Sequence, residues 1–156
     1  MSRMTYVGLG GADAAVRDFE RLTPYVGELV AMQRACAGMG ADHAAIGIAL
    51  DAIETAAYHF TRRRHFYHAV RGHSEGRGEG NARLRDPSEA IAAFQALAPY
   101  QAALGAMQGK CRPFGRDYLA IDIAKQGLET AAYHFTRIAA FYGLKGDGAG
   151  STRSDG

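Results

Sequence analysis

The chain of 156 residues contains an internal duplication, and this feature constrains its fold more than any other. When residues 15–68 are aligned with residues 90–143, a shift of 75 positions, 27 of the 54 pairs are identical and no gap is needed. A repeat of this kind means that one structural unit is used twice, and that neither unit buries its apolar face alone. The duplication therefore predicts two similar halves that share one core.

The apolar residues of each copy recur at the spacing of an α-helix. Intervals of three and four residues place side chains on one face of a helix, and the alternation of a strand is absent. Each copy is therefore predicted to be a helical hairpin, and two hairpins predict an all-α four-helix bundle with pseudo-twofold symmetry. In the first copy the two stripes are Phe19, Leu22, Tyr25, Leu29, Met32 and Cys36, and then Ile46, Ala49, Ile53, Ala56, Phe60 and Tyr67.

Proline and aspartate mark the predicted helix boundaries. Pro24 and Pro99 fall inside the first stripe of each copy, where we expect a kink, with a separate short helix before each proline as the alternative. Asp42 and Asp117 follow glycines and are candidate caps of the second helices. The run Asp86-Pro87-Ser88-Glu89 has the order of residues that begins a helix.

The predicted domain organisation follows from these boundaries. Glycine and mixed charges dominate the segment between the copies and the end of the chain, and such a composition does not pack into a core. We therefore expect one globular domain between two flexible ends. The predicted segments are a flexible N-terminus (1–12), a four-helix domain (13–142) made of a first repeat (13–70), a glycine-rich linker (71–85) and a second repeat (86–142), and a disordered tail (143–156).

The longest unchanged block, Glu54–Arg62, recurs as Glu129–Arg137 with all nine residues identical around the whole helix. Packing against one core does not require identity on two faces. We therefore predict that the outer flank of this helix binds a ligand or a partner, with a second copy of the chain, in a homodimer, as the expected partner. We also expect both glutamates to bond tyrosine hydroxyls one turn further on. The predicted contact residues are Glu54, Tyr58, His59, Arg62, Glu129, Tyr133, His134 and Arg137.

Two other functions stay open beside this prediction of a binding or interaction protein. His59 and His134 are equivalent, and imidazole ligates haem or a divalent metal, so they are an alternative cofactor site in a chain otherwise expected to need no cofactor. Arg63-x-x-x-x-His68 resembles the Arg-then-His spacing of HEPN domains, which are small helical ribonucleases that dimerise. That resemblance implies RNA cleavage, with Arg63 and His68 as the catalytic residues.

Composition narrows the class of partner without naming one. Eighteen Lys and Arg against sixteen Asp and Glu leave a net charge of +2, which does not favour nucleic acid as a ligand. No apolar run approaches the roughly 20 residues of a membrane span, and no signal-peptide core is visible, so we expect a cytoplasmic protein. Cys36 and Cys111 are then expected to be thiols. A small-molecule ligand is compatible with all of these features.

Overall fold

The computed structural model describes residues 6–36, 40–71, 84 and 86–143, and within these residues every regular element of secondary structure is a helix. The predicted all-α class is confirmed to this extent. Most of the predicted flexible and linking segments, namely 1–5, 72–83 and 144–156, lie outside the described residues. The seven helices of the described chain are α1 (Ala12–Glu20), α2 (Thr23–Arg34), α3 (Ala41–Thr61), α4 (His68–Arg71), α5 (Pro87–Gln95), α6 (Ala98–Gln108) and α7 (Arg116–Thr136).

The expected kinks at Pro24 and Pro99 are wrong, because both prolines lie at the start of new helices. α1 ends at Glu20 and α2 begins at Thr23, with Pro24 in its first turn. Pro99 divides α5 from α6 in the same way. A proline in the first turn loses no hydrogen bond, because the first N–H groups of a helix have no acceptor within it. Each predicted first helix is therefore two shorter helices, as in the alternative prediction.

The aspartates at the predicted boundaries have two different roles. Asp86 caps α5 as expected, since its Oδ1 accepts a hydrogen bond of 2.9 Å from the backbone N–H of Glu89. Asp42 and Asp117 do not cap α3 and α7, because a glycine holds each N-cap position and no side chain bonds there. Asp42 and Asp117 are the second residues of their helices, and their carboxylates are available for contacts with other helices.

The two long helices α3 and α7, each of 21 residues, run antiparallel and form the most extensive helix–helix contact of the described chain. Small residues allow their close approach: a Cβ built on Gly127 lies 2.7 Å from the Cβ of Ala52. Positions 52 and 127 are equivalent in the two repeats, so the helices touch at matched points. The shorter helices α1 and α2 pack on α3, and α5 and α6 pack on α7.

An aromatic cluster in each repeat joins the short helices to the long one. The Phe19 side chain is fully buried, and its ring contacts the rings of Phe60 and Phe66. The same three positions of the second repeat form a second cluster of the same kind. That cluster contains Phe94, Phe135 and Phe141.

A tyrosine that follows each long helix ties the chain to this cluster. The Tyr67 hydroxyl donates a hydrogen bond of 2.6 Å to the carbonyl oxygen of Phe19, and Tyr142 donates one of the same length to Phe94. Burial raises the pKa of both hydroxyls, so they are protonated donors at neutral pH. The segment after each long helix is thereby fixed against the first helix of its own repeat.

The first described residues already contact the second repeat. The Gly8 N–H donates a hydrogen bond of 2.8 Å to the carbonyl oxygen of Lys110, and Leu9 is buried in the core. These contacts lie within the segment 1–12 that the sequence predicts to be flexible. The physical reason is the apolar Leu9, whose burial favours an ordered path for the residues around it.

The two cysteines are free thiols, as expected. Burial raises the pKa of Cys36 to about 11, with a further contribution from Asp42, so this thiol is protonated and a weak nucleophile at neutral pH. Burial also raises the pKa of Cys111. As for membranes, none of the helices in the described ranges combines the length and the apolar character that a span requires.

Candidate functional site

The unchanged blocks place two histidines against two aspartates of the opposite repeat. His59 Nε2 lies 2.8 Å from Asp117 Oδ1, and His134 Nε2 lies 2.8 Å from Asp42 Oδ1. Each pair joins the end of one long helix to the start of the other. The four side chains remain partly exposed to solvent. The pairs are therefore two matched polar contacts at opposite ends of the α3–α7 interface.

This arrangement separates the two histidines that the sequence suggested as a haem or metal pair. His134 lies 17 residues beyond Asp117 on α7, which corresponds to about 25 Å along the helix. Because His59 contacts Asp117, a single ion or haem cannot bind both histidines of one chain. Within the described ranges, no group of three or more His, Cys, Asp or Glu side chains is arranged to hold a metal ion.

Glu54 and Glu129 hold the segment that follows each long helix. Oε2 of Glu54 accepts a hydrogen bond of 3.2 Å from the backbone N–H of Tyr67, and Oε2 of Glu129 accepts one of 3.0 Å from Tyr142. The expected bonds to tyrosine hydroxyls one turn further on are wrong, because the chain reverses after each helix and presents backbone N–H groups instead. Oε1 of both carboxylates is buried and has no hydrogen-bond partner among the described residues.

Tyr58 and Arg62 contact each other at the point of chain reversal. Arg62 follows α3 in a left-handed backbone conformation, with φ 62°, and its Cζ lies 5.5 Å from the centroid of the Tyr58 ring. Arg137 and Tyr133 form the same contact at 5.6 Å. All eight predicted contact residues thus have partners within the chain. These contacts give a structural reason for the identity of the two blocks.

An open cleft of about 670 Å³ lies beside these contacts in the first repeat. Helix α3 supplies one part of its lining, and the segment that turns back after α3 supplies the other. Two of the predicted contact residues, Glu54 and Tyr58, line this cleft together with His68. We call it the first-repeat cleft, and it is lined by Asp51, Glu54, Thr55, Tyr58, Arg64, His65, His68 and Arg71.

The two acidic side chains of the first-repeat cleft lie near the guanidinium group of Arg71. One guanidinium nitrogen of Arg71 lies 3.6 Å from Asp51 Oδ1, and the other lies 3.6 Å from Glu54 Oε2. The Asp51 and Arg71 side chains are 79% and 30% exposed, so solvent screens this contact and its contribution to stability is small. Its main consequence is electrostatic, since Arg71 offsets part of the negative charge in the cleft.

The remaining charged and titratable groups of the cleft are hydrogen-bond donors. Arg64 lies over the Tyr58 ring, with its Cζ 5.6 Å from the centroid. The side chains of His65 and His68 form no hydrogen bond or ion pair within the described ranges. A guanidinium and two imidazoles therefore face one cleft without a carboxylate partner of their own.

The second repeat lacks these donors. Ala139, Ala140 and Gly143 stand at the positions equivalent to 64, 65 and 68. His65 and Ala140 share a left-handed backbone conformation, with φ 55° and 52°, so the turn itself does not need a histidine. The donors of the first-repeat cleft are therefore an addition to a framework that folds without them.

Arg63 and His68, the ribonuclease-like pair, line different clefts. His68 lines the first-repeat cleft, whereas Arg63 lines a smaller cleft of about 310 Å³ together with Glu20 and Thr23. The structure does not bring this arginine and this histidine into one cleft.

Sequence reasoning missed two groups of residues at this site. It assigned Asp42 and Asp117 to helix caps, and no sequence signal pairs them with histidines that lie 92 and 58 residues away. Arg64 and His65 belong to a basic run at the end of the second helix, which the sequence explains equally well by the preference for cations near a helix C-terminus, so they are not predicted as site residues. The feature that points to them is the contrast between the repeats, since the second copy has alanines at both positions.

Comparison with known proteins adds no constraint: no protein-family model matches the chain, and neither a curated protein nor a solved structure matches it significantly. The function is therefore argued from the site itself.

Proposed function

We propose that this chain is a binding protein rather than an enzyme, and that its first-repeat cleft binds a small ligand through a phosphate group. The observation that carries the proposal is the set of donors formed by Arg64, His65 and His68, which have no carboxylate partner and are present in one repeat only. Guanidinium and imidazole N–H groups bond phosphate oxygens strongly, and Tyr58, which is 38% exposed beside them, can contact the rest of the ligand.

The proposal includes the architecture that presents the cleft. In it, the two repeats form a four-helix bundle with pseudo-twofold symmetry, in which each first helix is broken at its proline. Matched features 75 residues apart support this arrangement. They include the equal lengths of α3 and α7, the two His–Asp pairs and the two tyrosine hydroxyl bonds.

Phenyl phosphate is the probe for the cleft, because it combines a phosphate with an aromatic ring. In NMR titrations at constant ionic strength, the amide signals of residues 58 and 64–68 are expected to shift saturably. The triple variant Arg64→Ala, His65→Ala and His68→Gly carries the residues of the second repeat, so it should fold normally. Its affinity for the probe is expected to fall at least about tenfold, since each lost charge-assisted hydrogen bond contributes about 1.5–3 kcal/mol.

Benzenesulfonamide at the same ionic strength is the matched control, since it keeps the ring and lacks the charge. The proposal fails if the control shifts the same signals equally, or if the triple variant binds phenyl phosphate as well as the unmodified chain does.

A second copy of the chain is the partner that we propose for the outer flank of α3 and α7. The supporting observation is that Ile48 and Ile123, which are equivalent, are 49% and 48% exposed on these helices. Two matched apolar side chains suit an isologous contact. Light scattering is expected to give the mass of a dimer, and Ile48→Asp with Ile123→Asp is expected to give that of a monomer. If the unmodified chain is a monomer at a concentration on the order of 100 μM, this contact is excluded.

A further inference from the structure

A second cleft, of about 620 Å³, lies in the second repeat between α5, α6 and the segment that follows α7. It shares no lining residue with the first-repeat cleft. Gln95, Gln101 and Lys125 contribute polar groups to its lining, but most of the lining residues are apolar. We call it the second-repeat cleft, and its apolar residues include Ile91, Ala98, Ala102, Gly105, Ile138 and Phe141.

Gln101 lines this cleft and carries a hydrogen-bond acceptor that has no donor. The residue is only 5% exposed, and its Nε2 donates a hydrogen bond of 3.3 Å to the carbonyl oxygen of Lys125. That bond fixes the orientation of the amide, because only its nitrogen can donate to a carbonyl. The remaining Oε1 is buried and has no hydrogen-bond partner in the part of the chain that the structure describes. Such an atom is unfavourable in the free protein, and a ligand donor would satisfy it.

The first repeat shows that the fold does not need a glutamine here. The positions equivalent to 101, 105 and 125 are occupied by Val26, Val30 and Leu50, which are all buried. In that repeat α4 also packs against α2, with Val70 against the core. The second repeat thus has a glutamine, a glycine and a lysine where the first has three aliphatic side chains. The exchange removes apolar volume and adds polar atoms at one cleft.

The unpaired acceptor of the cleft, rather than its charge, indicates the kind of ligand. Lys125 Nζ donates one hydrogen bond of 2.8 Å to Gln108 Oε1, which holds the ammonium group against a neighbouring side chain. The orphan atom of Gln101 is an acceptor, which an ionised carboxylate or a fully ionised phosphate monoester cannot satisfy. A neutral hydroxyl group donates to an amide oxygen, and a hydrocarbon body suits the apolar lining. The cleft volume lies within the range of about 300–1,000 Å³ that small-molecule sites occupy.

We infer that the second-repeat cleft binds a small neutral alcohol or phenol, whose hydroxyl donates to Gln101 Oε1. The hydrocarbon part of the ligand lies against Ile138 and Phe141, as water leaves the apolar lining. This inference is independent of phosphate binding in the first-repeat cleft, because the two sites have no residue in common.

Phenol and anisole are the matched probes, since both carry the same ring and only phenol donates a hydrogen bond. In NMR titrations of the full chain, phenol is expected to shift the amide signals of α6 and of residues 138–143 saturably. Phenol should bind about tenfold more tightly than anisole. Gln101→Val, which copies the first repeat, should fold and lose this preference. Equal affinities in the unmodified chain, or an unchanged preference in Gln101→Val, would overturn the inference.

Gly105→Val also copies the first repeat and tests the location of the site. Its side chain fills the cleft, so saturable binding of both probes is expected to disappear. Gly105→Ala is a milder second variant, because its Cβ would meet only Lys125 Nζ, at 4.0 Å. Circular dichroism checks that each variant is folded. Phenol affinity that is unchanged in the folded Gly105→Val variant would contradict the location, whereas the triple variant of the first-repeat cleft should bind phenol normally.

Discussion

Replacement of Phe19 or of Phe94 by alanine is expected to lower the free energy of unfolding by about 3–5 kcal/mol. Both rings are fully buried. The Phe19 ring centroid lies 5.7 Å from that of Phe60 and 6.2 Å from that of Phe66. Truncation leaves a cavity between rings that belong to three different parts of the repeat. Since a typical domain is stable by roughly 5–15 kcal/mol, urea denaturation followed by circular dichroism should show a large loss.

The two losses should agree within about 1 kcal/mol, because the second repeat repeats the packing of the first. Phe94 lies 5.7 Å from Phe135 and 6.5 Å from Phe141, and its carbonyl oxygen also accepts a tyrosine hydroxyl bond. Phe114→Ala is the control, since that ring is 75% exposed and its removal should change stability by about 0.5 kcal/mol or less. A full loss at Phe19 with a loss under about 1.5 kcal/mol at Phe94 would contradict equivalent cores.

The sequence predicts the helical class and most of each long helix, because the apolar residues recur at helical spacing, but it extends the second stripe to Tyr67 although α3 ends at Thr61. It fails at the break between α1 and α2 for a physical reason. Arg21 and Leu22 keep right-handed helical dihedral angles, with φ −67° and −88°, although they lie between two helices. The apolar side chains therefore stay in register across the break. The periodicity of the apolar residues does not distinguish such a junction from a proline kink. The structure does, because the regular backbone hydrogen bonding of the helix is interrupted between α1 and α2.

The candidate site is predictable only in part, because its residues owe their roles to tertiary contacts. Glu54 and Tyr58 attract attention through their identity in both repeats, and the structure gives each a partner within the chain. The histidine partners depend on how α3 and α7 align, which the sequence does not specify. His65 and Arg64 depend on the chain reversal after α3. A duplicated chain is most informative where its two copies differ, because the copy that lacks a given side chain shows that the fold does not require it.

The contact between Ala52 and Gly127 gives a test of how the long helices align. Gly127→Ala is expected to destabilise the protein by about 1–3 kcal/mol through overpacking, even though alanine is the better helix former by about 1 kcal/mol. The added Cβ would lie 2.7 Å from the Ala52 Cβ and 3.4 Å from the Ala49 Cα. Neither neighbour is the end of a flexible side chain, so the helices must move apart. Urea denaturation measures the loss.

The exchanged double variant, Ala52→Gly with Gly127→Ala, should recover most of that loss. Positions 52 and 127 are equivalent, so the exchange moves the one missing methyl group from α7 to α3 and leaves the total volume and the summed helix propensity unchanged. Ala52→Gly alone should destabilise by about 1 kcal/mol, so the two single losses sum to about 2–4 kcal/mol, and the interaction between the two changes is favourable by about the same amount. Strictly additive effects of the two substitutions would mean that these residues do not touch, and the antiparallel alignment of α3 with α7 would then be wrong.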